Sequence, residues 1–331
     1  DEAHKTAGSK DGLFAHLLSD ENISIKRRLF MTATERRYAG SSNQIVSMDD
    51  PELYGESFDV LSFKKALEYE PPILSDYQIV TIVVQKKELA EVVKRNGFVR
   101  PEKGRWNDEV EARTLAALIA LRKSINEYGI KHAVSFHSSV VKAQSFADSQ
   151  ALFSSGYPEY GILPAYHVSG TTPTAVRAAE LRAFASEDRA LISNARCLTE
   201  GVDVPNIDCV LFVDPKKSAV DIVQGVGRAL RRAKNKKMGY VIVPVFAEDD
   251  ENLTVTDTEF SELLSVLRAL SANDERIIEY FRAVGSEIPW KGPKPVVFNV
   301  PVGVEVDTSE FVESIELRAW SRLAKLSWQP F

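Results

Sequence analysis

Four short segments carry side chains whose types and spacing suit chemistry. Asp1-Glu2-Ala3-His4 sets two carboxylates side by side with an imidazole just beyond them. At the end of a strand such a pair serves nucleotide hydrolysis: the Asp oxygen holds Mg²⁺, directly or through water, and the Glu polarises the attacking water. Taken alone, the same four residues also describe a solvated acidic terminus. Thr32-Ala33-Thr34 follows, with small hydroxyl residues that can hydrogen-bond to an Asp/His motif in a tight loop, or simply turn a strand into a loop. Arg196 to Pro205 reads Arg-Cys-Leu-Thr-Glu-Gly-Val-Asp-Val-Pro. There Gly201 permits close backbone approach, Asp203 can bind a ribose hydroxyl or a neighbouring Arg, and Thr199 offers a hydroxyl to a phosphate. A plain crossover loop is the alternative.

Gln224-Gly225-Val226-Gly227-Arg228-Ala229-Leu230-Arg231 is the most informative stretch. Gln224, Arg228 and Arg231 recur at three to four residues and so share one face of a helix. Two arginines aimed at one point suit phosphoryl transfer, where developing charge spreads over the transferred oxygens. Gly225 and Gly227 each weaken a helix by about 1 kcal/mol. Such a concession predicts close packing against another lobe. The alternative is a solvated basic helix end from Arg228 to Lys237, favoured by the helix dipole.

These segments need a scaffold, and from Tyr77 onward the pattern supplies one. Strands are expected at Ile79–Val84, His132–His137, Ala165–Val168, Arg189–Ser193, Cys209–Val213 and Tyr240–Phe246. Helices are expected over 86–95, from Asn107 to Tyr128, and over Val140–Phe153, Thr174–Phe184 and Ala219–Arg232. Strands separated by helices of this length imply βαβ units and a parallel sheet covered on both faces. The fold class is therefore α/β, with a RecA-like lobe over 77–247. Residues 1–76 read as the C-terminal remnant of an earlier lobe plus a linker with a short helix near Phe63–Glu70. Residues 248–331 read as a mainly helical extension: Thr256 with Glu259 forms a capping box for a helix to about Val284, and Asp307 with Glu310 caps a last one. Between them, 285–306 is punctuated by Pro and Gly and expected to be extended. Trp320 and Trp328 read as core rather than base-stacking platforms.

Bulk properties narrow the function classes. A chain of 331 residues with 44% apolar content can bury real cores. No apolar run approaches the ~20 residues a membrane helix needs, so no membrane role is expected. Cys197 and Cys209 show no metal-binding spacing, and a cytoplasmic location is the expectation. A net charge of -6 argues against a generally basic nucleic-acid binder. It leaves room for one that grips the backbone with few side chains.

In their order and distances, the four segments resemble motifs II, III, V and VI of superfamily 2 helicases. Phe136-His137-Ser138-Ser139 resembles motif IV, and His167-Val168-Ser169-Gly170 the strand and loop after it. The resemblance covers about 1–247. Met31-Thr-Ala-Thr-Glu35, Ser47-Met48-Asp49-Asp50, Leu53-Tyr54-Gly55, Leu74-Ser75-Asp76-Tyr77 and Thr199–Pro205 look like the DEAH-type ATPases of bacterial restriction systems, single-polypeptide type I and type III-like. Glu35 stands where many relatives have Pro.

This resemblance implies ATP- and Mg²⁺-driven movement on nucleic acid, chiefly double-stranded DNA. It gives Mg²⁺ binding to Asp1 and water activation to Glu2. His4, Gly201 and Asp203 would serve the nucleotide. Arg228 and Arg231 would be arginine fingers, with Gln224 on their face. Thr34, Ser138, Ser169 and Thr199 would touch the nucleic-acid backbone. No G-x-x-x-x-G-K-[ST] occurs, so a fragment inactive as an ATPase by itself is expected, belonging to a longer parent with nuclease or methyltransferase domains elsewhere. A non-catalytic scaffold module and an RNA helicase are the rival readings.

Overall fold

The computed structural model describes residues 2–32, 35–38, 44–85, 89, 108–156, 161–195, 206–213, 219–233, 236, 238–247, 255–299 and 308–324. Asp1, Thr34, Thr199, Gly201 and Asp203 lie outside them, as do Lys234, Lys237, Trp328 and all but one residue of the helix expected over 86–95. The chain divides into two units, 1–61 with 328–331, and 62–327.

In the first unit the start of the chain is held by hydrogen bonds rather than by a large core. Gly8–Ser9 (β1) pairs antiparallel with Ile45–Val46 (β2). Residues Ala3–Lys5 make a single 3₁₀ turn, and the Ala3 N–H donates to Met31 O at 2.9 Å. A short helix, Pro51–Tyr54 (α1), has proline at its first turn and the Asp50 carboxylate accepting from Glu52 N at 3.0 Å.

In the second unit, runs of β-branched and apolar residues form strands, and helices cover them. After a short helix at Phe63–Glu68 (α2), the strands are Tyr77–Gln85 (β3), His132–Phe136 (β4), Ala165–Ser169 (β5), Ala190–Ala195 (β6), Cys209–Phe212 (β7), Gly239–Ala247 (β8) and Val296–Asn299 (β9). They form one seven-stranded sheet in the order β5-β6-β4-β7-β8-β3-β9, every pairing parallel. The helices are Asp108–Tyr128 (α3), Val140–Gly156 (α4), Thr174–Ser186 (α5), Ala219–Ala229 (α6), Asp257–Ser271 (α7), Glu275–Gly285 (α8) and Thr308–Leu323 (α9). This is the α/β parallel-sheet architecture that the alternating pattern implies.

Two apolar clusters sandwich the sheet, as the period of a strand requires. Val80, Ile82, Ala133, Leu191 and Leu211 face α3 and α4. Ile79, Val83, Val134, Phe136, Val241 and Val243 face the other way, against Ile222 and Val226 of α6, Leu263 and Leu267 of α7, and Phe281 of α8. Helices α7, α8 and α9 thus pack into the same core, and β9 lies beside β3 in the sheet.

Three local expectations are corrected. The helix from Thr256 is broken: α7 ends at Ser271, and the Asp274 carboxylate caps α8 by accepting from Arg276 N at 3.1 Å. The capping box is half made: Thr256 Oγ1 accepts from Glu259 N at 3.3 Å, while the Glu259 carboxylate accepts instead from Phe246 N at 3.2 Å and from Arg113. The helix expected to reach Arg232 ends at Ala229. Among the described residues, no helix is long and apolar enough to cross a membrane.

Candidate functional site

Within the first unit, the segment after Asp1 is tied to the hydroxyl-bearing loop. Buried His4, 3% exposed, places Nδ1 3.0 Å from Thr32 Oγ1. Its Nε2 lies 3.4 Å from a Glu2 carboxylate oxygen that is itself open to solvent. A hydrogen bond between the Asp/His motif and Thr32-Ala33-Thr34 is what those residue types allow, and it is present. One anchor was not legible beforehand: the Tyr54 hydroxyl lies 2.8 Å from Thr6 Oγ1, and its ring packs 4.9 Å from Phe30.

Among the described residues no group of three or more His, Cys, Asp or Glu could hold a metal ion. Carboxylates such as Asp1, which lies outside the described residues, are the kind of donor that Mg²⁺ sites use one or two of, while phosphate and water fill the other positions.

In the second unit the candidate residues fall at two opposite edges of the sheet. Ser138 follows the carboxyl end of β4 and is exposed. Ser169 ends β5, two strands away in the order β5-β6-β4. The segment 196–205 leaves from the carboxyl end of β6, which lies between them. Ser169 is only 3% exposed. Its hydroxyl lies 2.9 Å from Thr171 Oγ1 and 3.2 Å from Thr172 Oγ1, closing its own turn. Thr171, not singled out from the sequence, is the exposed hydroxyl of that turn.

Helix α6 then runs back along the sheet. Gln224 is half-buried, Arg228 is 7% exposed, and Arg231 is exposed beyond the helix end. Arg231 is thus not on the helical face shared by the other two. It makes an antiparallel bridge to Leu74, just before β3 begins. The arginines therefore lie at the amino edge, a strand length from Ser138. Strand β4 has 5 residues, so that separation is about 17 Å at ~3.3 Å per residue.

The glycines of α6 do not serve the packing expected of them. A Cβ on Gly225 would lie 3.1 Å from the Phe136 ring, so the close approach is to β4 of the same unit. A Cβ on Gly227 would meet nothing within 4 Å.

The turn bearing Arg231 is held from several sides. The Ser75 N–H donates to Leu230 O at 2.8 Å, and the Arg232 guanidinium donates to Pro72 O at 2.8 Å. The Lys236 ammonium turns inward and donates to Ile207 O at 2.9 Å, Arg231 O at 3.0 Å and Ala229 O. Lys236 is therefore not part of a solvated basic helix end. Burial pushes its pKa down to about 8, against the pull of the nearby Asp208 carboxylate. Asp208 accepts from the main-chain N–H groups of Lys131 and His132, both at 3.0 Å, yet burial holds its pKa above the usual carboxylate range. No local pattern marks Lys236, because its three acceptors are distant in sequence or lie across a turn.

Comparison with known proteins agrees with this geometry. Residues 116–233 match the family model described as "Helicase conserved C-terminal domain". The "Probable helicase A859L" of African swine fever virus (isolate Pig/Kenya/KEN-50/1950) is 29% identical over 110 residues, which is 32% of this chain and 12% of the viral protein. Among solved structures, "ATP-dependent Type ISP restriction-modification enzyme LlaBIII bound to DNA" superposes over 100% of this chain and 23% of that one, with a TM-score of 0.74 and 23% identity. The chain thus matches only a small part of the length of either protein. Residues 116–233 thus match the helicase conserved C-terminal domain model, and the chain as a whole shares its fold with the DNA-bound restriction-modification enzyme.

Proposed function

We propose that this chain is part of an ATP-dependent motor that moves on double-stranded DNA, in a longer protein of a bacterial restriction or defence system. The observation that carries the reading is the division of the sheet into two working edges. Hydroxyl groups of Ser138 and the Ser169–Thr172 turn gather at the carboxyl edge, and arginines gather at the amino edge. Helix α6 joins the two, with Gly225 against Phe136 one step before His137 and Ser138. The restriction enzyme bound to DNA, which resembles the whole chain in fold, supports the choice of DNA.

ATP with Mg²⁺ supplies the phosphoanhydride bond whose hydrolysis drives movement. Asp1 would hold the cation, and Glu2 would polarise the attacking water. Arg231, assisted by Arg228 and Gln224, sets positive charge and hydrogen-bond donors against the charge that develops on the phosphate. His4 passes the state of this segment to Thr32. Gly201 and Asp203 hold the nucleotide. Thr34, Ser138, Ser169 and Thr199 hold the phosphate backbone, the Ser169 turn doing so through Thr171. Alone, the 331 residues neither hold ATP tightly nor hydrolyse it, because no phosphate-binding loop lies among them.

The test is the ATPase activity of the full-length protein with duplex DNA, single-stranded DNA and duplex RNA. The reading expects the greatest stimulation with duplex DNA. Equal or greater stimulation by RNA would move the assignment to an RNA helicase, and no stimulation by any of them to a scaffold.

A further inference from the structure

We propose that Lys236 is a positioning residue for the arginine-bearing turn, fixing the main chain on both sides of Leu230 so that Arg231 is presented outward. The inference rests on the reading of Arg231 as a phosphate-directed arginine. Lys236 donates to the carbonyls of Ala229 and Arg231, which flank Leu230, while Ser75 N donates to Leu230 O itself at 2.8 Å. Three consecutive carbonyls, from the last residue of α6 onward, thus have assigned donors. A helix terminus ordinarily leaves such carbonyls to solvent, or to a glycine-based cap.

The third acceptor extends the argument. Ile207 O, 2.9 Å from the ammonium, comes directly after Asn206, where the chain emerges from the Arg196–Pro205 segment. One ammonium therefore joins the arginine turn to the end of the other segment assigned to the nucleotide. An ammonium has three hydrogens, one for each of these carbonyls. Lys236 makes these contacts although burial disfavours its charge.

Precise placement matters for a charge aimed at a transition state, since a displacement near 1 Å can lower a rate about 100-fold. The experiment uses the full-length protein and measures kcat and KM for ATP with saturating DNA in Lys236→Met, Arg231→Ala and the double variant. The proposal expects Lys236→Met to lower kcat by roughly 10- to 100-fold with little change in KM. It expects the double variant to be no slower than Arg231→Ala alone. A Lys236→Met kcat within twofold of the unaltered protein, or a loss fully additive with that of Arg231→Ala, overturns it. If Arg231→Ala itself leaves kcat unchanged, the reading beneath the proposal fails, and the proposal with it. Should Lys236→Met fold poorly, Lys236→Ala assayed with n-propylammonium replaces it: recovery of kcat supports positioning, and no recovery overturns it.

Discussion

Gly239→Ala probes the seat of the arginine turn, and its effect can be worked from geometry. A Cβ on Gly239 would lie 2.5 Å from Ala229 O, whereas ordinary contact begins near 3.4 Å; the overlap is 3.4 − 2.5 = 0.9 Å. Neither side yields easily. Ala229 O accepts from Lys236, and Gly239 N donates to Asp76 O at 2.7 Å at the start of the β3–β8 pairing. Backbone overpacking of this kind costs about 1–3 kcal/mol. For a body of this size the melting temperature should fall by about 2–4 °C per kcal/mol. Gly227→Ala is the internal control, because its Cβ meets nothing within 4 Å. Replacing a mid-helix glycine there should stabilise by up to about 1 kcal/mol. Urea denaturation of both variants, followed by circular dichroism, gives the comparison. Gly239→Ala as stable as the unaltered chain, or Gly227→Ala destabilised, would refute the reasoning.

Two further outcomes are expected. Arg276 bridges buried Asp274 and Asp76, both at 2.8 Å, and lies over the Tyr77 ring, so Arg276→Ala strands a carboxylate inside and should cost about 3–5 kcal/mol in urea denaturation. The folded-state pKa of Lys236, about 8, lies below the 10.5 of a lysine in the unfolded chain. Between those values the unfolded chain binds the extra proton, so the contribution of Lys236 to stability should rise with pH across that window, against an opposing contribution from Cys209, whose thiol pKa burial raises. Asp208, its pKa raised by burial, loses its extra folded-state proton at lower pH and does not mask the rise. Lys236→Met should flatten the difference between unfolding curves at pH 8 and pH 10, and an unchanged slope would show that another group is responsible.

The sheet was legible because its strands are short, β-branched and separated by helices of crossover length. Val296–Asn299 was read only as extended: its four residues show partial burial and no strong alternation, and its place beside β3 is a tertiary choice. The break at Ala272–Asp274 was hidden because no Gly or Pro marks it; Asp274 stops one helix and caps the next through contacts with Arg276. Trp320 read as core, and it packs against the main cluster, lying over Gly285 of α8. At the site, residue types located the arginines, but spacing alone placed Arg231 on a helical face. The helix stops earlier because Lys236, Ser75 and Gly239 claim its end. Ser169 was read as a backbone-contacting residue where a strand meets its loop, whereas its burial and the exposure of Thr171 depend on how the turn folds back.

The central claim is that Arg231 acts on the phosphate during hydrolysis. DNA-stimulated ATP turnover by full-length Arg231→Ala tests it most directly. A fall of about 10³-fold or more, as for other arginine fingers, is the predicted result. Turnover near that of the unaltered protein would contradict the account.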